Sequence, residues 1–181
     1  NIKDTHSKVY LDGYLQDTSF LFESREIVKS FIVELEMEYG VNLITVEEQF
    51  SNEFVAVHIR WFDGEDKFMD NGFKNYFFDI SKMLEKDNPT YCLYTNDRNR
   101  TATFFDLNFP NMKVLYLDKK DLFEDFVELQ RYKKLILTTS TFGWWAGFLG
   151  NSSTIILPNT HGDHMVNWGG LCLEKLRRGS I

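Results

Sequence analysis

Short apolar runs alternate along this chain with segments in which apolar residues recur every three or four positions. Each run is nearly continuous in apolar character, which is typical of strands that are covered on both faces. The runs are FVAVHI (54–59), YCLYT (91–95), KVLYL (113–117), KLILTT (134–139) and TIILP (154–158). Regular alternation of strands with helices predicts a parallel sheet that carries helices on both faces. We therefore expect an α/β fold of the Rossmann-like type.

Helical spacing is clearest in residues 73–84, where apolar side chains at three- and four-residue intervals form one stripe. The same spacing is found around Phe104 and Phe105 and again from Leu122 to Tyr132. These segments fall between the apolar runs, as the connecting helices of a parallel sheet must.

A further helix is predicted over residues 24–40, with Ser24 as its N-cap and Gly40 as its stop. No repeat, low-complexity tract or linker rich in Pro and Gly divides the chain. We therefore expect a helical extension or inter-domain segment over residues 1–50 and one Rossmann-like domain over residues 51–181.

Composition narrows the classes of partner and compartment. The 181 residues are 43% hydrophobic, which is enough for a buried hydrophobic core. The net charge of −7 argues against general binding to nucleic acid or to an anionic membrane. Cys92 and Cys172 form no CxxC pair, which favours a reducing compartment. No apolar run reaches the roughly 18 residues that span a bilayer. We expect a cytoplasmic protein, peripheral to a membrane at most, or one of the Golgi lumen if an anchor precedes this sequence.

Residues at the ends of the strands are the candidates for chemistry, because ligands of an open parallel sheet bind beyond the carboxyl ends of its strands. The first such end carries His58, Arg60 and Asp63. A guanidinium there can hold a diphosphate with paired hydrogen bonds and stabilise negative charge on a leaving group. The alternative, weighted equally, is that Arg60 only pairs with nearby surface carboxylates.

The second strand end carries Asn96 and Asp97, which stand where a strand passes into a helix. Asp97 can accept hydrogen bonds from ribose hydroxyls or from the polar edge of a purine. On the pattern alone the favoured interpretation is simpler, namely that one of the two residues is the N-cap of the following helix.

The fourth strand ends in Thr139, Ser140 and Thr141, and a helix begins there. Free backbone N–H groups, the positive end of the helix dipole and two or three hydroxyls converge at this point, which predicts an anion site. Ser140 as an ordinary N-cap is the alternative. For Trp145, in the same helix, we favour a place in the core.

His161, Asp163 and His164 have a spacing that can bind zinc, but no second ligand cluster supports a metal site. A loop beside the ligand is the favoured interpretation of this segment.

Four segments together resemble the donor-binding half of the α-1,2-fucosyltransferases, glycosyltransferase family 11. HIRWFD (58–63) is similar to the family's HxRRGD motif, and YTND (94–97) is similar to its FSDD-like motif. STFGWWAGFL (140–149) is similar to the family's STFSWWxAWL segment and is the most specific of the matches. DGYLQDTSFLF (12–22) resembles a GYFQ-type segment, so the resemblance covers roughly residues 10–158.

The resemblance implies a GT-B-type transferase that moves fucose from GDP-fucose to a galactose-like hydroxyl of a glycan. It implies an inverting mechanism without a metal or other cofactor, with a nucleotide sugar and a glycan acceptor as partners. Arg60 would hold the β-phosphate and stabilise departing GDP, while His58 and Asp63 shape the same loop, which makes these three the predicted catalytic residues.

The resemblance also implies the remaining donor contacts. Asp97 would face the guanosine with Asn96 beside it. Ser140, Thr141 and the N–H group of Phe142 would hold phosphate oxygens.

Two departures separate this chain from the family pattern. Trp61 and Phe62 occupy the places of an Arg and a Gly, and the sequence contains no glycine-rich GGLGNQ-type segment. We expect the chain to be the donor-binding part of such an enzyme or a divergent relative. The alternatives are a non-catalytic module that binds a sugar nucleotide or glycan, and another doubly wound nucleotide-binding or structural domain.

Overall fold

A computed structural model of the chain describes residues 18–40, 53–61, 73–117, 121–138 and 140–157, with side chains from Ser24 onward. The helices are α1 (Thr18–Glu38), α2 (Phe73–Leu84), α3 (Arg98–Asn108), α4 (Leu122–Leu129) and α5 (Thr141–Leu149). The strands are β1 (Phe54–Ile59), β2 (Thr90–Thr95), β3 (Val114–Tyr116), β4 (Lys134–Leu137) and β5 (Thr154–Ile156).

The five strands form one parallel sheet in the order β3-β2-β1-β4-β5. Strand β1 is central, and its last residues Ile59 and His58 are aligned with Thr95 of β2 and Leu137 of β4, respectively. Successive strands extend from β1 first to one side and then to the other. The topological switch point of the sheet therefore lies at the carboxyl ends of β1 and β4, where ligands of such folds bind.

Helices cover both faces of the sheet, which confirms the Rossmann-like α/β architecture predicted from the sequence. One face buries Val55, Val57 and Ile59 of β1 under aromatic side chains of α2 and α3. The opposite face buries Ala56 of β1 with Ala146 of α5 and residues from around α4. The continuous apolar character of β1 thus has the cause expected for a strand packed on both sides.

Helix α1 adds a further layer outside α5. Val28 and Ile32 pack against the cluster of Trp144 and Phe148 on α5. Arg25 donates from Nε to the carbonyl of Phe148 and from Nη2 to that of Gly150, each at 2.7 Å. These are carbonyls that the end of a helix leaves without an intrahelical partner. The guanidinium therefore caps α5 at its negative end.

Several element boundaries differ from the sequence-based expectation. Helix α1 begins at Thr18, so Ser24 is inside the helix and the prediction that it forms the N-cap was wrong. Gly40 has a φ of 58° in the turn that follows α1, as a helix-stopping glycine requires. Tyr132 lies beyond the end of α4, where it is fully buried between that helix and β4. None of the helices in the described parts of the chain is both long and apolar enough to cross a membrane.

Candidate active site at the carboxyl ends of β1 and β4

Thr138, the first residue after β4, connects the ends of the two strands at the switch point. Its N–H group donates to the carbonyl of His58 at 3.1 Å, and its hydroxyl accepts from the N–H group of Arg60 at 3.1 Å. Its own carbonyl accepts from the N–H group of Ser140 at 2.8 Å. A single buried threonine thus holds Arg60 on one side and the start of α5 on the other. The strand predicted to continue through Thr139 ends at Leu137 because Thr138 turns to make these contacts.

Arg60 and Trp61 leave the end of β1 beside the end of β2. The N–H group of Trp61 donates to Oδ1 of Asn96 at 2.8 Å, and the carbonyl of Trp61 accepts from Nδ2 of Asn96 at 2.9 Å. The carboxamide of Asn96 therefore extends the hydrogen bonding between β1 and β2 by one residue, at the point where the chain after β2 turns toward α3. The side chain of Arg60 is exposed to solvent.

The indole of Trp61 is buried in the core, with 3% of its surface exposed. Its Nε1 donates to Oγ1 of Thr101 at 2.7 Å, and its ring lies edge-on to Phe73 and Phe104. The guanidinium of Arg100 lies 4.3 Å from the ring centroid. Trp61 is therefore an anchor that fixes the backbone next to Arg60.

Ser140 is the N-cap of α5, with an extended backbone and its hydroxyl accepting from the N–H group of Gly143 at 3.5 Å. This bond is long, so it does not hold the hydroxyl firmly in place. Thr141 is exposed and Phe142 is partly buried. The structure therefore places the residues predicted to bind phosphate at the first turn of a nine-residue helix, whose dipole favours an anion at that end.

His58 lies beneath this first turn, on the face of the sheet that α5 covers. Its ring is stacked on Phe142, with 5.3 Å between centroids. Only 8% of the side chain is exposed, and within the described part of the protein Nδ1 has no hydrogen-bond partner. Burial, followed by the charge of Arg60, lowers the pKa of His58 to about 4. His58 is therefore neutral at physiological pH, and the cation of Arg60 acts close to it.

Asp97 is the N-cap of α3, where its side chain accepts from the N–H group of Arg100 at 3.0 Å. This is the capping role that the sequence pattern favoured. One carboxylate oxygen carries that bond, and a carboxylate has lone pairs for further donors. A contact between Asp97 and a nucleoside remains a prediction.

Arg60, His58 and Ser140 come together at the switch point, whereas Asn96 and Asp97 lie at the neighbouring end of β2. Asp63 falls outside the described residues, as do His161, Asp163 and His164. Over the ranges that the structure describes, no group of three or more His, Cys, Asp or Glu residues could hold a metal ion.

Comparison with known families adds a second line of support. Residues 106–167 match the model of glycosyl transferase family 11. The resemblance to this family is confirmed over these residues. The match covers about a third of the chain and includes STFGWWAGFL (140–149), whereas Arg60 and Asp97 precede it. No curated protein and no solved structure matches the chain. The family 11 match supports a glycosyltransferase, with a sugar nucleotide and a glycan as its classes of substrate.

Sequence reasoning overlooked Thr138, although it connects the ends of β1 and β4 at the candidate site. It treated Trp61 as the loss of a cation and as added bulk in the loop, and did not foresee that the indole is buried. A signal for both existed in the alignment of adjacent parallel strands, because residues that directly follow two paired strands must be neighbours in space. The order of the strands was needed to use that signal.

Proposed function

We propose that this chain forms the donor-binding part of an α-1,2-fucosyltransferase-like enzyme. Its substrates are GDP-fucose and a galactose-like hydroxyl of a glycan. The observation that carries the proposal is the double contact of Thr138, which joins the backbone of Arg60 to the N-cap Ser140. The backbone of an arginine and the start of a helix are thereby brought together, and both a guanidinium and the N–H groups of a helix start bind phosphate oxygens.

In the proposed reaction, the bond between C1 of fucose and the β-phosphate oxygen breaks, and its electron pair leaves with GDP. The acceptor oxygen bonds to C1 from the opposite face, and its proton passes to a general base. Arg60 offsets the negative charge that builds on the β-phosphate, so the reaction proceeds without a metal ion. The N–H groups at the start of α5 stabilise the same charge, because the helix dipole is positive at that end.

His58 has a positioning role in this proposal rather than an acid–base role. A pKa of about 4 leaves a neutral imidazole at pH 7, which is a poor proton donor at that pH. Its stacked ring supports Phe142 from below. We propose that His58 thereby sets the position of the first turn of α5.

The test is a thermal-shift titration of the full chain with GDP, GDP-fucose, GDP-mannose, UDP-galactose and ADP in the absence of divalent metal. A ligand that binds the native state raises the melting temperature by mass action. We expect a rise with GDP and GDP-fucose, and a fall of roughly tenfold to hundredfold in GDP affinity for Arg60→Ala. Arg131→Ala is the control. Arg131 is exposed and precedes the amino end of β4, whereas the candidate site lies at the carboxyl ends of the strands.

Unchanged GDP affinity in Arg60→Ala would refute the phosphate role. Transfer of fucose from GDP-fucose to a galactoside is then measured with the same chain. Binding of GDP-fucose without transfer would indicate a sugar-nucleotide-binding module instead of an enzyme acting on its own.

A further inference from the structure

The peptide groups on both sides of Arg60 are fixed by hydrogen bonds from neighbouring strands. The peptide before it is held by the hydroxyl of Thr138, which accepts from the N–H group of Arg60 at 3.1 Å. The peptide after it is held by Asn96, whose Oδ1 accepts from the N–H group of Trp61 at 2.8 Å. Because two fixed peptide planes determine φ and ψ of the residue between them, the direction in which the Arg60 side chain leaves the backbone is also determined.

Asn96 is suited to this task by its carboxamide. The group places an N–H donor and an oxygen acceptor in one plane, as a peptide does, and Trp61 bonds to one N–H group and to the oxygen. The paired strands end at Ile59 and Thr95, so the backbone after Thr95 no longer reaches the chain that follows β1. The side chain of Asn96 takes over the pairing at that point.

We propose that Asn96 is a positioning residue that aims the Arg60 guanidinium at the crevice, instead of contacting the nucleotide itself. This inference rests on the proposed function, and it revises the role that the motif resemblance implies for Asn96. The oxygen and the nitrogen of this carboxamide are already bonded to the backbone of Trp61, so fewer hydrogen-bonding positions remain for a ligand. After the end of β1 the backbone of Arg60 is oriented by this carboxamide together with Thr138 and the buried indole of Trp61.

The test is a double-mutant cycle on GDP affinity, measured by calorimetric titration of the full chain. The four proteins are the wild type, Asn96→Ala, Arg60→Ala and the double variant. If Asn96 acts through Arg60, Asn96→Ala weakens GDP binding by about tenfold in the wild type, as expected for two lost hydrogen bonds, and has almost no effect once Arg60 is removed.

A spectroscopic measurement separates this role from a general loss of stability. In an amide hydrogen-exchange spectrum without nucleotide, Asn96→Ala accelerates exchange at the N–H group of Trp61. The matched control is Asn108→Ala, which removes another asparagine bond to the backbone, from Nδ2 to the carbonyl of Phe104 at 2.8 Å. We expect the control to leave both Trp61 exchange and GDP affinity at wild-type values.

The outcomes are distinguishable. If Arg60→Ala leaves GDP affinity unchanged, the proposed function fails, and Asn96 has no binding group to position. If Arg60→Ala weakens binding but Asn96→Ala does not, only the positioning role is overturned. If Asn96→Ala weakens binding equally with and without Arg60, Asn96 contacts the nucleotide directly and the inference is wrong.

Discussion

A methyl group added at Gly143 tests how closely α5 packs on the sheet. An ideal Cβ at this position would lie 2.8 Å from Nδ1 of His58, 3.3 Å from its Cγ and 3.3 Å from Cδ2 of Leu137. The imidazole cannot easily turn aside, because it is almost fully buried and is stacked on Phe142. In Gly143→Ala the first turn of α5 must therefore move away from β1.

The expected magnitude is the balance of two effects. Overpacking of a buried site costs about 1–3 kcal/mol. Alanine in place of glycine stabilises the interior of a helix by roughly 0.8–1 kcal/mol. We expect Gly143→Ala to lower the free energy of unfolding by up to about 2 kcal/mol, which corresponds to a fall in Tm of at most roughly 8 °C for a chain of this length.

Gly147→Ala on the same helix is the matched control. Its Cβ would meet Cδ1 of Leu137 at 3.2 Å and Cδ1 of Ile155 at 3.3 Å, which are the mobile tips of aliphatic side chains. We expect this control to be close to neutral. The measurement is urea unfolding followed by circular dichroism, repeated for Gly143→Ala in a His58→Ala background, where the clash is relieved. The reasoning is refuted if Gly143→Ala costs no more than Gly147→Ala, or if removal of the imidazole gives no relief.

Three further predictions use the same unfolding assay. The pKa of His58 is about 4 in the native protein, against about 6.5 for an unperturbed imidazole, so the unfolded state binds its proton first and stability falls, by up to about 3 kcal/mol, as pH drops from about 6.5 to 4. His58→Gln should flatten this part of the pH profile, and an unchanged profile would contradict the assignment. Arg25→Ala should cost about 2 kcal/mol, because two carbonyls at the end of α5 lose a charged donor; a loss below about 0.5 kcal/mol would show that the cap is unimportant. Tyr76→Phe should cost about 1–2 kcal/mol, since its hydroxyl lies 3.0 and 2.9 Å from the carbonyls of Leu137 and Ile156, and wild-type stability would rule out that bridge.

The strands and most helices were predictable because each has a cause that acts locally. Strand β1 was predicted with its observed bounds, 54–59, since burial on both faces requires a continuous apolar run. Helix α2 was likewise predicted over 73–84 from its apolar stripe. The start of α1 was misplaced because Ser24 has the chemistry of an N-cap, while the residues before it continue the helix. Local chemistry permits a cap at such a serine but does not require one.

The contacts within the site depend on the order of the strands, which a single sequence does not specify. Asn96 could be recognised as a residue following a strand, but its partner Trp61 became identifiable only once β1 was known to pair with β2. The proximity of Gly143 to His58 depends in addition on the packing of α5 over β1. The sequence therefore identified which residues follow the ends of the strands, and it could not show which of them contact one another.

Helix α5 links the N-terminal segment to the candidate site. Its C-terminal end is capped by Arg25 of α1, and its N-terminal end is held by Ser140 and, through Ser140, by Thr138. A cation at the negative end of the dipole and an anion at the positive end both stabilise the helix. Nine residues of helix span only about 14 Å. Because the helix is this short, we expect a displacement of one end to move the other end as well. Residues 1–50 were predicted as a helical extension or inter-domain segment, and α1 from that segment packs on the helix whose first turn is proposed to bind phosphate.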